Sequence, residues 1–322
     1  MRRSPLLITA GVLVLTVTTV VAVKFVRTYE TPASAGRAPV TVEPSAPGDP
    51  LTYPSGGPGG GGGAGGDIAA GDPAAQQRFA AAAELTNKAA GHLGVIVRDR
   101  RSGAEWRAGE ADRATWASST IKLAMAANLL ERGRTGEVKL DTAARKSIAD
   151  MLETSSDKAA DALWDKYGGE GFVPWFQQQY GMHDLQFPAG APRRWGQLKC
   201  TPADLLRFMT YLLDRADPAD RDYLTAAMRR PGKAQQWGVW AAGADKQPGV
   251  ANGWSIQVDD KVKHWVTHSV GFAGQDAQYA IVIMFDQPAG AKVDTGVHTV
   301  SDVIATLFGT KVPADVSVPP AA

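Results

Sequence analysis

Between Thr28 and Ala74 the chain holds eight of its 20 prolines, and Gly56 to Gly71 holds ten of its 35 glycines, with almost no large apolar side chain. Such a stretch cannot bury enough apolar surface to offset the conformational entropy of ordering it, so whatever folds must fold beyond it. A glycine run can also cradle phosphate, but this one follows no strand-like run and leads into no Lys-Ser/Thr pair. Residues 28–74 therefore read as a disordered tether, reaching roughly 35 to 40 Å as a flexible coil. All nine tryptophans fall between Trp106 and Trp265, which places the folded domain at 75–312 and leaves 313–322 as a tail.

Ahead of the tether, Pro5 to Val23 is a run without charge, preceded by Arg2 and Arg3 and followed by Lys24 and Arg27. As a helix it would span roughly 28 Å, about the hydrocarbon thickness of a bilayer. The only small-residue cleavage pattern, Ala33-Ser34-Ala35, lies far past the apolar run, which favours an uncleaved single-pass anchor over 1–27 against secretion after signal cleavage. No cysteine follows the run, which argues against a lipoprotein anchor. The two arginines mark the N-terminus as the cytoplasmic end, so the domain is expected outside the cell membrane.

At 44% hydrophobic residues in 322, the chain has enough apolar material for a sizeable core. A formal net charge of +1 supplies no field to draw it onto nucleic acid, and no such partner is expected. The single cysteine, Cys200, excludes a disulfide framework and any cysteine-based zinc cluster. A metal would have to be held by His and carboxylates, and none is expected, nor any cofactor.

Gln76 to Ala90 reads as a helix, and Leu93 to Asp99 with Glu105 to Ala108 reads as a hairpin around Arg101-Ser102-Gly103. Helical patterns follow at Ile121 to Glu131, Thr142 to Glu153, Ala159 to Tyr167, Pro174 to Tyr180 and Pro202 to Asp214. Gly253 to Val258, His264 to Val270 and Tyr279 to Phe285 read as strands, and Val300 to Phe308 closes as a helix. Strands at both ends with helices between them imply an α/β (α+β) fold: an antiparallel sheet assembled from both ends of the domain, with a helical subdomain against it.

Ser119-Thr120-Ile121-Lys122 begins a segment that is apolar nearly all round and hence buried. Three residues apart, the hydroxyl and the ammonium share one helix face. A serine becomes a nucleophile when a neighbouring base takes its proton, and a lysine serves as that base when desolvation lowers its pKa. A helix start also offers free N–H groups to a developing oxyanion. Ser155 and Lys158 repeat the same spacing, so the motif alone is also what a capping serine and a surface lysine would show.

Ser156-Asp157-Lys158 then lies between two amphipathic helices, and Asn252-Gly253-Trp254 opens the first of three consecutive strands. In this order the elements resemble the Ser-x-x-Lys, Ser-Asp-Asn and Lys-Thr-Gly motifs of the penicillin-recognising serine enzymes, the class A β-lactamases and D-alanyl-D-alanine peptidases. The resemblance covers about Phe79 to Phe308. It implies an acylated Ser119, Lys122 as its proton partner, Ser156 as a relay to the leaving nitrogen, and an oxyanion hole from the N–H groups of Ser119 and Trp254. Asn252 and Gly253 would line the substrate, with Gly253 letting the strand approach, and Asp157 would be structural.

The chain departs from that pattern in three places. Lys158 stands where the family has Asn, Ala251 stands where it has Lys, and Leu185 to Ala203 contains no Asp or Glu to activate water for deacylation. A cation lost at 251 and gained at 158 could be a relocation, with Lys158 near Ser156 and Lys122, or Lys158 could simply point to solvent. Arg193 and Arg194 are the other candidate cations, although adjacent arginines in a Pro-Gly-rich loop are usually solvated. His264 and His268 have metal-ligand spacing but no carboxylate between them and read as structural, as does Cys200. The resemblance implies a monomeric serine hydrolase or acyltransferase acting on a small molecule, a β-lactam, or a D-alanyl peptide of the cell wall. The competing implication is a degenerate pseudoenzyme that binds wall fragments or a partner protein.

Overall fold

The computed structural model describes residues 68–69 and 71–320. The apolar run from Pro5 to Val23 and most of the 28–74 tether lie outside the described residues. Among the described residues no helix is long and apolar enough to cross a membrane.

Helix α1 (Pro73–Lys88) starts at Asp72, whose carboxylate accepts the N–H groups of Ala74 and Ala75, with Pro73 at a position where no N–H is needed. A hairpin of β1 (His92–Asp99) and β2 (Glu105–Gly109) follows. The chain then makes the short β3 (Thr115–Trp116) and enters five helices: α2 (Ile121–Arg134), α3 (Thr142–Thr154), α4 (Asp157–Tyr167), α5 (Phe172–Gln179) and, after β4 (Lys199–Cys200), α6 (Pro202–Asp214). A sixth, α7 (Pro218–Met228), precedes the strands β5 (Gly249–Asp259), β6 (Val262–Ala273) and β7 (Tyr279–Asp286), and α8 (Val293–Phe308) closes the fold.

Every pair in the main sheet is antiparallel, in the order β2-β1-β7-β6-β5, so strands from the two ends of the domain meet where β1 pairs with β7. The two-residue period of a strand then sorts the core. Val95, Val97, Ile281 and Ile283 pack on one face with α1 and α8, whereas Ile96, Ala280, Val282 and Met284 join the helical subdomain on the other. Helix α2 runs through the middle of that subdomain, with every residue from Ile121 to Leu130 buried. That is why its sequence is apolar all round rather than amphipathic.

Two helices differ from the sequence reading. Helix α8 begins at Val293 rather than Val300, because Gly296, a poor helix former, is the residue whose missing side chain lets the helix lie on the sheet: a Cβ there would stand 2.3 Å from Thr267 Oγ1. Helix α7 buries only Leu224, Thr225 and Met228, too sparse an apolar face to show as a periodic pattern. Beyond Phe308 the chain still packs: Ala314 is buried and its N–H donates to Asp302 Oδ1 at 2.8 Å.

Candidate active site

Ser119 sits in a single 3-10 turn, Ser118–Thr120, that runs directly into α2. Ser118 holds a left-handed φ of 49°, a conformation that costs a non-glycine residue on the order of 1 kcal/mol. Its hydroxyl lies 3.0 Å from Ser255 Oγ on β5. Between these contacts the strand passes the turn backbone to backbone. A Cβ on Gly253 would stand 3.0 Å from both Ser119 N and Thr120 N, so a side chain here would push β5 back by a few tenths of an ångström.

Strand β5 is the edge of the sheet, with β6 on one side only. The Asn252 N–H is donated to Gln235 Oε1 at 3.3 Å rather than to β6. Backbone direction repeats every second residue along a strand, so the Trp254 N–H faces the same open edge. Gly253 thus stands beside both the Ser119 nitrogen and the Trp254 N–H at this open edge. The side chains of Asn252 and Trp254 go elsewhere. Asn252 is buried, its Nδ2 donating to Gln235 O at 2.9 Å, and Trp254 stacks edge-on with Trp237. The Asn252 side chain is thus held by the Gln235–Trp237 segment.

Lys122 is buried, in the first turn of α2. Its Nζ donates to Asp157 Oδ1 at 2.6 Å, to Ser155 O at 2.6 Å and to Ser155 Oγ at 3.2 Å, and it lies 4.6 Å from the centre of the Trp195 ring. Desolvation holds the Lys122 ammonium below the ordinary lysine range, and the hydrogen bond and charge of Asp157 work against that shift. The Ser119 hydroxyl makes no hydrogen bond with Lys122 among the described contacts.

The corner between α3 and α4 decides which serine reaches this ammonium. Ser155 ends α3 in a left-handed conformation, φ 56°, which turns both its oxygens toward Lys122. Ser156 is the N-cap of α4, its hydroxyl accepting the Ala159 N–H at 3.2 Å. The serine hydroxyl that meets Lys122 is therefore that of Ser155, one residue before the Ser156 expected there. In this register the third position of the element is Asp157, a carboxylate where the motif carries an amide. The signal was present in the sequence: Ser156 is followed by an acidic residue in the first turn, the mark of a capping serine.

Lys158 is exposed and has no ion pair among the described residues. The two arginines are paired at the surface: Arg193 Nε lies 3.8 Å from Glu170, and Arg194 pairs with Asp161 at 3.2 Å and Asp165 at 3.0 Å. In the acid-free loop Trp195 takes the place over Lys122, held there by its indole N–H donating to Asp161 at 2.9 Å. His268 is fully buried, with Nε2–H donating to Trp116 O at 2.8 Å and Nδ1 accepting from Phe285 N at 3.0 Å. Cys200 is buried, and burial pushes its thiol well up, which leaves it unreactive.

The model of the β-lactamase enzyme family matches residues 75–147, a stretch that takes in α1, the first hairpin, the Ser119 turn and α2. Proteins named lipoprotein LppW, from Mycobacterium tuberculosis and Mycobacterium bovis, are 28% identical over 225 residues, covering 67% of this chain and 69% of theirs. Among solved structures, the reconstructed class A β-lactamase of the last common ancestor of Gram-negative bacteria superposes with a TM-score of 0.60 at 19% identity, over 72% of this chain and 99% of its own. A class A β-lactamase, PenP from Rhodopseudomonas palustris, gives 0.59 at 17% identity over 72% and 99%. The described domain thus has the fold of the class A β-lactamases, and the segment that carries Ser119 and Lys122 is similar to the β-lactamase enzyme family.

Proposed function

We propose that the domain is a serine acyl-transfer enzyme that forms a long-lived acyl-serine on Ser119 with D-alanyl peptides of the cell wall or with β-lactams. The observation that carries this reading is the buried Lys122 ammonium, 3.2 Å from Ser155 Oγ, on the same helix turn as a serine flanked by two backbone donors. Ser119 Oγ attacks the substrate carbonyl and gives its proton to Lys122 in its neutral form. The oxyanion is met by the N–H groups of Ser119 and Trp254, and Ser155 passes the proton to the leaving nitrogen. No carboxylate between Leu185 and Ala203 is available to activate water, so the acyl group persists. The Pro5 to Val23 segment would hold this monomeric domain on the outer side of the cell membrane, within reach of wall peptides.

A second reading, a binding module without chemistry, is favoured by one contact. On that reading the Asp157 carboxylate, 2.6 Å from Lys122, outweighs burial and keeps the proton on the lysine, so that it cannot serve as a base. Intact mass of the full-length protein after hours with millimolar benzylpenicillin separates the two. Acyl transfer predicts one penicilloyl group on Ser119 that survives removal of free ligand. Saturable binding with no mass gain would establish the second reading instead, and rapid turnover would sink the long-lived intermediate.

A further inference from the structure

At the far end of the sheet from Gly253, three donors converge from three adjacent strands: Asp259 at the end of β5, His264 near the start of β6, and Asp286 at the end of β7. We propose that they bind a divalent transition-metal ion of the zinc class. One ligand atom from each lies within 4.8 Å of the others. His264 is only 8% exposed, and its Nε2 is 3.0 Å from Asp286 Oδ1 and 3.6 Å from Asp259 Oδ2. The buried Nε2 nevertheless has no hydrogen-bond partner: Asp259 Oδ2 is too far, and Asp286 Oδ1, though near enough, is out of line with the ring nitrogen.

That arrangement is poor for a hydrogen bond and suited to a shared ion. Donors about 2 Å from one metal stand roughly 3.0 to 3.5 Å from one another, and each points at the ion rather than at its neighbour. An imidazole with two carboxylates is a donor set for zinc and its neighbours in the first transition row. The carboxylates are already oriented from behind. Thr115 Oγ1 donates to Asp286 Oδ2 at 3.3 Å, Trp116 Nε1 to Asp259 Oδ2 at 2.9 Å, and Lys199 Nζ to Asp259 Oδ1 at 2.9 Å. Such outer contacts fix the direction of metal ligands and leave the facing lone pairs free. Asp259, 40% exposed at its side chain, gives the ion a way in and a position for a water ligand.

The site is also tied to the Ser119 turn, because Trp116 binds Asp259 through its ring and His268 through its carbonyl three residues before Ser119. An ion there would clamp the ends of three strands and the segment leading into the nucleophile. The inference is independent of whether Ser119 is acylated.

Calorimetric titration of metal-free full-length protein with zinc chloride, with thermal unfolding at each zinc concentration, tests it. One zinc per chain at micromolar affinity and a rise in Tm are expected, with visible d–d absorption of a four-coordinate ion when cobalt(II) is used instead. His264→Ala should abolish both the binding and the rise. Asp259→Asn, at a half-exposed position that should not compromise folding, should weaken binding at least tenfold. No binding at a hundred micromolar zinc would overturn the site. So would binding unchanged in Asp259→Asn, or binding lost in His298→Ala, which removes the surface pair with Asp294.

Discussion

The Lys122 ammonium is closer to Asp157 Oδ1, at 2.6 Å, than to the Ser155 hydroxyl, at 3.2 Å, and its burial and that carboxylate make opposite demands on its proton. Burial favours losing it and the carboxylate favours keeping it, with burial the larger influence. Asp157 is largely exposed, so its pull is screened, and a substrate entering the cleft would compete for it. Replacing the carboxylate by the amide of the family motif keeps an acceptor for the ammonium and removes the charge. Asp157→Asn is expected to raise the rate of Ser119 acylation at pH 7 by about tenfold for each unit that the Lys122 pKa falls. The midpoint of the pH–rate profile should move to lower pH. A slower variant would mean that Asp157 positions the lysine rather than restraining it.

Ser155 and Ser156 are neighbours with separable jobs, so their alanine variants should fail in different assays. Ser155→Ala removes a hydroxyl on Lys122 and should slow acylation at least a hundredfold with little change in Tm. Ser156→Ala removes a helix cap and should cost about 1 kcal/mol of stability while leaving the acylation rate of the folded protein within a few-fold. The reverse pattern would restore Ser156 to the relay.

That misplacement by one residue shows what the sequence displays and what it does not. The strands over 93–99, 264–270 and 279–285 are legible because each packs on both faces and so shows as a short run rich in apolar and β-branched residues. Ser119 and Lys122 are legible because three residues along a helix is a fixed geometry. The corner at Ser155 is not, since its effect depends on a left-handed φ that a serine adopts only under tertiary constraint. Trp195 over Lys122 is not legible either, because it arrives from a distant loop with no local pattern to mark it. The departures themselves were visible as composition: no acid between Leu185 and Ala203, and Ala251 in place of a cation.

Gly253→Ala tests the contact between strand and nucleophile turn. The added methyl would sit 3.0 Å from two backbone nitrogens, which cannot swing aside as a flexible side chain would, so β5 must shift by a few tenths of an ångström. Overpacking of this kind costs about 1 to 3 kcal/mol in stability. It also moves the Trp254 N–H away from the oxyanion. Acylation should fall at least tenfold in protein that remains folded by circular dichroism. Unchanged acylation would show that Trp254 does not contribute to the oxyanion hole.

His268 should make the domain sensitive to mild acid. Burial lowers its pKa to about 4, against 6.5 for the unfolded chain, while its two hydrogen bonds fix it as the neutral Nε2–H tautomer. Between those values the unfolded state binds the proton and the folded state does not. Stability from this residue is therefore present above pH 6.5 and is lost as the pH falls toward 4, by up to about 3 kcal/mol. His268→Gln keeps a donor for the Trp116 carbonyl and cannot take up a proton. The wild type should lose stability faster than this variant between pH 6.5 and 4 in urea unfolding, whatever the difference between them at pH 7.5. Parallel stability curves across that range would show that His268 is protonated in the folded state or reached by solvent.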